Sequence, residues 1–414
     1  MNRPIAISLS PNTDSKDVAR AWSVLFSRSL RENTDILSEV AHLISKKFDN
    51  RFVVLNSSGR QALYDLLRAY DIGLGDEVII QAFTCIAVPE PILWVGAKPV
   101  YADTAKDAYS IDVQNVLKKI TPNTKAIIVQ HTFGIPGPIE EIVSMAKEKN
   151  IIVIEDCAHA FGAELNNRAL GTFADASIIS FGRDKCLSSV YGGACVVKNR
   201  EQMEKLRAFH NQRKQPPFMW TAQQLLHPIL FSYIIPSYFT FGIGKVLLVL
   251  FQRAQLLSRA VELRERSGRK PLHIEYQYAP ALAQLLVLQL GKIDAMNARR
   301  KYIADRYAQE LFGSKAVLPA VSQNTQPSWL RFPVLVKNQK QVMFMAREKN
   351  ILLGDWYDSA LVPKGSNLIE FQYSLGSCSV AEKTAEQVIN LPTYPSLTDT
   401  QVSEIIALIK TYAS

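Results

Sequence analysis

Four short segments of the sequence place reactive or anion-binding side chains at the end of an apolar, strand-like run or in the loop that follows one. They are Ser57-Ser58-Gly59-Arg60 after "VVLN", Asp156 in "IIVIEDCAHAFGA", Ser180 in "ASIISFG" and Lys185 in "DKCLSSVYGGA". In open α/β sheets, ligands bind beyond the carboxyl ends of the strands. We therefore expect these side chains to meet at one edge of a sheet.

Each segment has a functional and a simpler structural interpretation. The serines before Gly59 can merely cap a helix, or the free N–H groups of that helix can bind an anion with help from Arg60. Asp156 can cap a helix or form a salt bridge, but a carboxylate at the end of an apolar strand needs a cationic partner. Ser180 can be an ordinary loop hydroxyl. Lys185 can be a surface lysine, or a desolvated and therefore nucleophilic amine.

Considered together, the four segments match one ligand, pyridoxal 5′-phosphate, which carries an aldehyde, a pyridine nitrogen and a phosphate. Lys185 would form a Schiff base with the aldehyde, and Asp156 would hold the proton of the pyridinium. The Ser58-Gly59 turn would hold the phosphate, and the glycines that follow Lys185 would allow close approach of the backbone.

The first half of the chain alternates β-rich apolar runs with amphipathic helical patterns, which predicts βαβ units and a mostly parallel sheet. The apolar runs predict seven strands, at 52–55, 77–80, 99–102, 126–130, 151–155, 176–181 and 194–197.

The second half changes in character from about residue 275. The stretch 280–312 is one long helical pattern, and "RFPVLVK", "ILLGDWY" and a final helix near 402–412 suggest a smaller α+β domain, with Thr398 as the N-cap of that helix. We expect three parts: an N-terminal segment with a large cofactor-binding α/β domain (1–212), an apolar insert (213–270), and a connecting helix with a small C-terminal domain (271–414).

Composition excludes several classes of protein. The 414 residues are 48% apolar, and the net charge of +9 is spread without a long block of like charge, so a nucleic-acid-binding tail is not expected. Five scattered cysteines lack the spacing of a disulfide framework or a zinc site, and no metal site is expected. These cysteines and the absence of an apolar signal segment near the N-terminus indicate a reducing, cytoplasmic location.

The insert contains an apolar run, residues 225–251, whose one formal charge is Lys245. Three interpretations are open. A membrane span is disfavoured, because the run is too short for two crossings. The run can instead lie at the inner face of a membrane, with Pro228, Pro236, Gly242 and Gly244 breaking its helices, or it can pack as an arm on its own domain or a partner subunit.

Several motifs occur in the order and spacing of a known family: "GLGDEVII", "GAKPVYAD", "ITPNTKAIIVQHTFGIPG", "IIVIEDCAHAFGA" and "LPTYPSLTD". On these motifs the sequence resembles the DegT/DnrJ/StrS sugar aminotransferases, nearly throughout except for residues 213–270. The resemblance implies the PLP-dependent transferase fold type I, with a large domain around a seven-stranded, mostly parallel sheet and a smaller C-terminal α+β domain. Asp156 and Lys185 are 29 positions apart, which is similar to the family's spacing.

The resemblance also implies roles for individual residues. Lys185 would be the Schiff-base lysine that shuttles the proton, and Asp156 would pair with the pyridine nitrogen. His159 falls where the family places a residue near the phenolic oxygen of the cofactor. Ser180, Ser58 and Gly59 would hold the phosphate. His131 matches a family histidine close to the site, although a purely structural histidine fits equally well.

The sequence departs from the family at several positions. Arg60 replaces the usual threonine after Ser-Gly, and Cys85 replaces an aromatic residue that often stacks on the cofactor, so Phe83 or another group would have to stack. Gln277-Tyr278-Ala279 replaces an Asn-Tyr-Arg motif that reaches the neighbouring subunit's site. Trp356-Tyr357-Asp358 replaces a His-Tyr-Pro-like turn. The cofactor residues are thus retained, and the acceptor pocket is unusual.

The resemblance implies an aminotransferase that moves an amino group, with glutamate as the expected donor, to a nucleotide-linked keto-sugar in surface-glycan or secondary-metabolite biosynthesis. A homodimer is expected. Two alternatives remain open. A PLP-dependent sugar dehydratase is disfavoured because that variant carries histidine in place of Lys185. A non-catalytic, membrane-attached relative would have no need for both Asp156 and Lys185.

Overall fold

The computed structural model describes residues 5–7, 12–106, 108–259, 261–262 and 264–413. The strands, numbered in chain order, are β1 (Ile5–Ala6), β2 (Phe52–Asn56), β3 (Glu77–Gln81), β4 (Thr84–Cys85), β5 (Lys98–Ala102), β6 (Thr124–Gln130), β7 (Ile152–Asp156), β8 (Glu164–Leu165), β9 (Arg168–Ala169), β10 (Ala176–Ser180), β11 (Gly193–Val197), β12 (Thr325–Gln326), β13 (Phe332–Leu335), β14 (Ile351–Leu352), β15 (Leu361–Val362) and β16 (Val388–Leu391).

The helices are α1 (Ser15–Phe26), α2 (Arg28–Glu32), α3 (Asp35–Lys47), α4 (Gly59–Ala69), α5 (Pro89–Trp94), α6 (Val113–Lys119), α7 (Ile139–Glu148), α8 (Arg200–Asn211), α9 (Phe218–Ile234), α10 (Ile243–Arg253), α11 (Pro280–Leu290), α12 (Ile293–Glu310), α13 (Gln339–Glu348), α14 (Ser379–Gln387) and α15 (Asp399–Tyr412). Short 3-10 helices lie at Thr132–Gly134, Glu265–Ser267 and Leu272–Glu275.

The main sheet has seven strands in the order β2-β11-β10-β7-β6-β3-β5. The pairs among β10, β7, β6, β3 and β5 are parallel, whereas β11 runs antiparallel to both β10 and β2. The seven strands coincide with the seven apolar runs of the sequence, so the prediction of a mostly parallel seven-stranded sheet is confirmed. Both faces of the sheet are buried against helices, which explains why its strands are apolar along their length.

The C-terminal part contains the antiparallel pair β13–β16 and a hydrophobic core that includes residues of α12, α13 and α15. The N-terminal strand β1 joins this part, because Ile5 pairs in parallel with Ile351 of β14. Thr398 caps α15: its side chain accepts the N–H of Gln401, whose side chain in turn accepts the N–H of Thr398. The predicted cap is therefore confirmed.

The long helical pattern of 280–312 is two helices, not one. Helix α11 ends at Leu290, Gly291 is its C-cap, and α12 begins at Ile293. Glycine is a poor helix former because its backbone loses the most freedom on ordering, so the break at Gly291 has a local cause.

The apolar insert forms a helical hairpin of α9 and α10. Helix α9 packs against α1 and α11 of the same chain. The expectation that Pro228 breaks the helix is wrong, since α9 continues through it. Pro236 and Gly242 do lie between the two helices, whereas Gly244 lies within the first turn of α10.

The membrane-span interpretation of the insert is not favoured by the helices. Among the residues that the structure describes, no helix combines the length and the apolar character needed to cross a bilayer. The division of the chain at residues 212 and 270 stays a prediction.

Candidate functional site

A cavity of about 510 Å³ lies at the carboxyl ends of the central strands. It brings together eight of the residues that the sequence singled out for the cofactor site, namely Ser58, Gly59, Arg60, Cys85, Asp156, His159, Ser180 and Lys185. These residues are up to 127 positions apart in the chain, and the parallel sheet places the ends of their strands side by side.

Lys185 lies in the loop between β10 and β11, and the backbone of this loop is held firmly. The Lys185 N–H donates to the Gly182 carbonyl at 3.1 Å, and the Asn12 amide donates to the Lys185 carbonyl at 2.6 Å. The buried Arg300 donates to the next carbonyl, that of Cys186, at 3.1 Å. The backbone of Lys185 is thus fixed while its side chain lines the cavity. Burial there lowers the pKa of the Lys185 amine.

Asp156 ends β7 and is 4% exposed. Its Oδ1 accepts the Ala158 N–H at 2.9 Å, which fixes the orientation of the carboxyl group. Burial raises the pKa of Asp156, and the Ala158 bond and the charges of Lys185 and His131 oppose that rise. A cationic N–H placed in the cavity would supply the partner that a buried carboxylate needs.

The N-terminus of α4 forms an anion-binding turn beside Ser180. Ser58 is the N-cap of α4, and its side chain accepts the Gln61 N–H. A Cβ on Gly59 would lie 3.1 Å from the Ser180 Cβ, and a Cβ on Gly193 would lie 2.5 Å from the Gly59 nitrogen. The two glycines are therefore needed for the close approach of α4, β10 and β11. The first backbone N–H groups of α4, two hydroxyls and the positive end of the helix dipole converge there, as phosphate binding requires.

Arg60 also lines the cavity, and it forms an ion pair with Glu265 from the segment that returns from the insert. The Glu265 side chain is fully buried, and that of Arg60 is only 10% exposed. The same segment contacts the preceding turn, because the Ser57 hydroxyl donates to the His273 carbonyl at 2.6 Å. The insert is thus tied to the anion-binding end of the cavity.

His159 is neutral and oriented. Its Nδ1 accepts the Phe133 N–H at 3.2 Å, so the ring proton resides on Nε2. Burial holds the pKa of His159 well below its usual value. Cys85 reaches the cavity from β4, and burial raises the pKa of its thiol, which therefore stays protonated. A neutral thiol and a neutral N–H donor therefore both face the cavity.

Aromatic side chains around His159 form a wall that the sequence indicated only in part. The His159 ring stacks on Trp356 with centroids 5.5 Å apart, and Lys185 Nζ lies 5.2 Å from the same Trp356 ring centroid. The Arg331 Cζ lies 3.6 Å from that centroid, and burial lowers the pKa of Arg331 to about 10. Phe83, the suggested stacking residue, packs beneath Tyr357 and does not line the cavity.

Some lining residues were missed by the sequence analysis. Gln130 ends β6, and Arg183 and Asp184 precede Lys185. Gln130 carries the same signal as Asp156, a polar residue at the end of an apolar strand. Arg331 packs behind Trp356 and is not itself a lining residue; it carries no comparable signal, since only the folded C-terminal part brings it against that ring.

His131 does not line the cavity. Its Nε2 contacts Glu155 Oε2 at 3.2 Å, and its Nδ1 accepts the Gly137 N–H at 3.0 Å. Ligand atoms of His131, Glu155 and Cys157 lie within 4.8 Å of one another, but the Glu155 oxygens already accept three backbone N–H groups from residues 171–174. His131 thus lies beside Asp156 with its ring engaged by Glu155 and Gly137, which agrees with the structural interpretation, and the expectation of no metal site stays a prediction.

The segment that replaces the Asn-Tyr-Arg motif is held within its own chain. The Gln277 amide donates to the His210 carbonyl at 3.2 Å, and the Tyr278 hydroxyl lies 2.8 Å from that of Ser189. Where the family motif has an arginine, this chain has Ala279, and the polar groups of the two preceding residues bind groups of the same chain.

Comparison with known proteins agrees with this geometry. The DegT/DnrJ/EryC1/StrS aminotransferase family matches residues 12–227 and 263–410. A UDP-N-acetyl-3-dehydro-alpha-D-glucosamine 3-aminotransferase of Acidithiobacillus ferrooxidans is 29% identical over 355 residues, 86% of this chain and 82% of the relative. A dTDP-3-amino-3,6-dideoxy-alpha-D-galactopyranose transaminase of Aneurinibacillus thermoaerophilus is 29% identical over 357 residues, 86% of this chain and 84% of the relative.

Solved structures show the same fold. S. venezuelae DesV, in complex with a ketimine intermediate, superposes with a TM-score of 0.75 at 25% identity and covers 97% of this chain and 95% of its own. Spr1654 from Streptococcus pneumoniae, in its PLP form, superposes with a TM-score of 0.76 at 20% identity and covers 99% of this chain and 98% of its own.

The side chains of the cavity fit pyridoxal 5′-phosphate. An amine, a buried carboxylate and an anion-binding helix N-terminus line one space of suitable volume, and each corresponds to one functional group of the cofactor. The fold, this site and a family match over most of the chain lead to one conclusion: the chain belongs to the DegT/DnrJ/EryC1/StrS family and is a PLP-dependent aminotransferase of fold type I.

Proposed function

We propose that this aminotransferase transfers an amino group from an amino acid, with glutamate as the expected donor, to a keto-sugar carried on a nucleotide. The product would serve surface-glycan or secondary-metabolite biosynthesis. The observation that carries the proposal is the convergence of Lys185, Asp156 and the α4 N-terminus in one cavity of a chain from this family. Relatives that act on UDP- and dTDP-linked sugars support this class of substrate.

The residues that line the cavity would have separate roles in the reaction. Pyridoxal 5′-phosphate, when bound, supplies an electron-withdrawing ring that stabilises a carbanion at the donor's α-carbon. Lys185 would accept and return that α-proton, and its lowered pKa favours the neutral amine that this role requires. Asp156 would hold the proton on the pyridine nitrogen, and the Nε2–H of His159 is a donor for a neighbouring oxygen.

Cationic side chains at the cavity support a substrate that carries phosphates. Arg183 lines the cavity, and its guanidinium donates to the carbonyl and the hydroxyl oxygen of Ser258 at 2.7 Å each. Lys364 lies on the exposed rim. The diphosphate of a nucleoside diphosphate sugar could accept charge-assisted hydrogen bonds from Arg183 and Lys364.

The role of Lys185 can be tested by absorption spectroscopy. The purified protein should show a cofactor band near the visible edge that borohydride abolishes. Lys185→Ala should lack this band because the variant has lost the amine that would form the Schiff base. Lys340→Ala, which changes an exposed lysine of α13, is the matched control and should keep the band. A protein that never binds the cofactor would refute the assignment.

The reaction itself can be tested by separating its halves. Glutamate alone should convert the bound cofactor to its amine form, and a nucleotide-linked keto-sugar added afterwards should restore the starting spectrum, with ping-pong kinetics in the steady state. Product formed without any amino donor would identify a dehydratase instead. Cofactor binding without turnover on any amino donor would indicate a non-catalytic relative.

The proposal includes a homodimer, because members of this family build each site from two subunits. Sedimentation velocity should give twice the mass of the chain. A monomer with full activity would contradict this part of the proposal. It also includes a reducing, cytoplasmic location, which the free thiols of Cys85, Cys157, Cys186, Cys195 and Cys378 support.

A further inference from the structure

The insert hairpin presents an apolar face to the solvent, here called the outer face of α10. Phe241, in the turn before α10, is 98% exposed, and Val246 is 58% exposed. The face also includes Ile243, Val249 and Leu250, each about half exposed. Scattered apolar residues on a surface are ordinary, but a contiguous group marks a contact site.

The spacing of these residues shows that the face is one side of a helix. Ile243, Val246 and Leu250 are three and four residues apart, so they line one stripe of α10. The other side of α10 carries Leu247 and Phe251, which pack with residues of α9 such as Phe231 and Ile234 in a small core of the hairpin. Since α10 already has an internal core, its apolar outer face is not needed to fold the hairpin.

The charge of the hairpin is entirely of one sign. From Gln212 to Val261 the sequence contains no aspartate or glutamate and five basic residues. Lys245 and Arg253 are exposed on α10, and the Lys245 Nζ lies 5.4 Å from the Phe239 ring centroid. Apolar side chains bordered by basic groups complement a surface with an apolar interior and negative headgroups.

We propose that the outer face of α10 docks on an anionic phospholipid bilayer, with the helix lying in the plane of the headgroups. The 11 residues of α10 extend about 16 Å, too short to cross a hydrocarbon layer of about 30 Å. A second copy of the chain is a poorer partner. A two-fold contact would set Lys245 and Arg253 against the same residues of the other copy without an acidic group from the hairpin.

The hairpin is continuous with the catalytic cavity. Beyond α10, Ser258 binds Arg183, Val261 lines the cavity, and Glu265 pairs with Arg60. Docking of the outer face would therefore hold the cavity close to the bilayer surface. The docking itself does not depend on the reaction proposed above.

The inference can be tested by flotation of the full-length, cofactor-loaded protein with vesicles. The protein should float with phosphatidylcholine vesicles that contain phosphatidylglycerol, less with phosphatidylcholine alone, and less as salt is raised. Val246→Glu/Leu250→Glu should lower the partition coefficient about tenfold or more, because it places two negative charges in the apolar face. Phe344→Glu, at a 60% exposed position of α13, is the matched control and should float like the wild type.

A second variant, Lys245→Gln/Arg253→Gln, keeps the apolar face and should weaken flotation with the anionic vesicles alone. Absence of flotation of the wild type, or equal flotation of the wild type and Val246→Glu/Leu250→Glu, overturns the inference. If that variant instead halves the mass in sedimentation while no protein floats, a second copy covers the face. If the protein shows the cofactor band but does not float, the docking proposal is rejected and the proposed function is not. If it floats but never shows the band, the proposed function is rejected and the docking proposal is not.

Discussion

Glu90 gives the protein a stability that depends on pH. The side chain lies in α5, is fully buried, and neither of its carboxyl oxygens has a hydrogen-bonding partner among the described residues. Burial raises the pKa of Glu90 from 4.5 to about 8, and the nearby Arg60 opposes this rise. The folded protein therefore keeps the carboxyl group protonated at neutral pH, whereas the unfolded chain releases the proton.

The direction and size of the effect follow from this difference. Because the folded state binds the proton more tightly, the contribution of Glu90 to stability is complete below about pH 4.5 and is lost as the pH rises to about 8. Between pH 5.5 and about pH 8 the free energy of unfolding should fall by about 1.4 kcal/mol per pH unit, which gives a loss of about 3 kcal/mol over the roughly 2.5 units. Glu90→Gln has the shape of the protonated acid and cannot ionise, so it should lack this loss.

Urea titrations at pH 5.5, 7 and 8.5 measure the free energies of unfolding that test this reasoning. The stability advantage of Glu90→Gln over the wild type should grow by about 3 kcal/mol between pH 5.5 and pH 8.5. Glu404→Gln, at an exposed position of α15, should follow the wild type throughout. Parallel pH profiles of Glu90→Gln and the wild type would refute the assignment of a protonated carboxyl group.

Three further predictions concern the cavity and its supports. Asp156→Asn should keep the bond from Ala158, because the amide oxygen still accepts it, yet lower kcat about 10²- to 10³-fold, since a neutral group no longer stabilises charge on the cofactor nitrogen; unchanged kcat in steady-state assays would contradict this. Glu265→Gln should cost about 3 kcal/mol of stability in urea titrations and weaken cofactor binding in equilibrium dialysis, because Arg60 loses a buried anionic partner; unaltered stability would show that the pair contributes nothing. Thr398→Ala should cost about 1 kcal/mol without affecting kcat or cofactor binding, and a loss of activity would indicate that α15 does more than support the small C-terminal core.

Local patterns were sufficient where short-range physics decides the structure. The seven strands coincide with the apolar runs because a strand buried on both faces must be apolar along its length. The N-cap at Thr398 was predictable because capping involves residues only three positions apart, and the structure adds that Gln401 completes a capping box. Two predictions about helices were wrong. The break at Gly291 follows the low helix propensity of glycine, which the apolar pattern around it masked. Helix α9 continues through Pro228 against the propensity of proline, as happens where tertiary packing overrides a single residue.

The amine, the carboxylate and the anion-binding turn of the cavity were proposed from the sequence alone, because the carboxylate and the turn stand at the ends of apolar runs, the amine follows such a run within one loop, and their chemistry together matches one cofactor. Only the tertiary structure decided what surrounds them: the Trp356 wall with Arg331 against it, the burial of Glu90, and the ion pair that ties the insert to Arg60. These features join segments that are distant in the chain, and both the cost of burying a charge and the gain from pairing it depend on neighbours that no local pattern specifies.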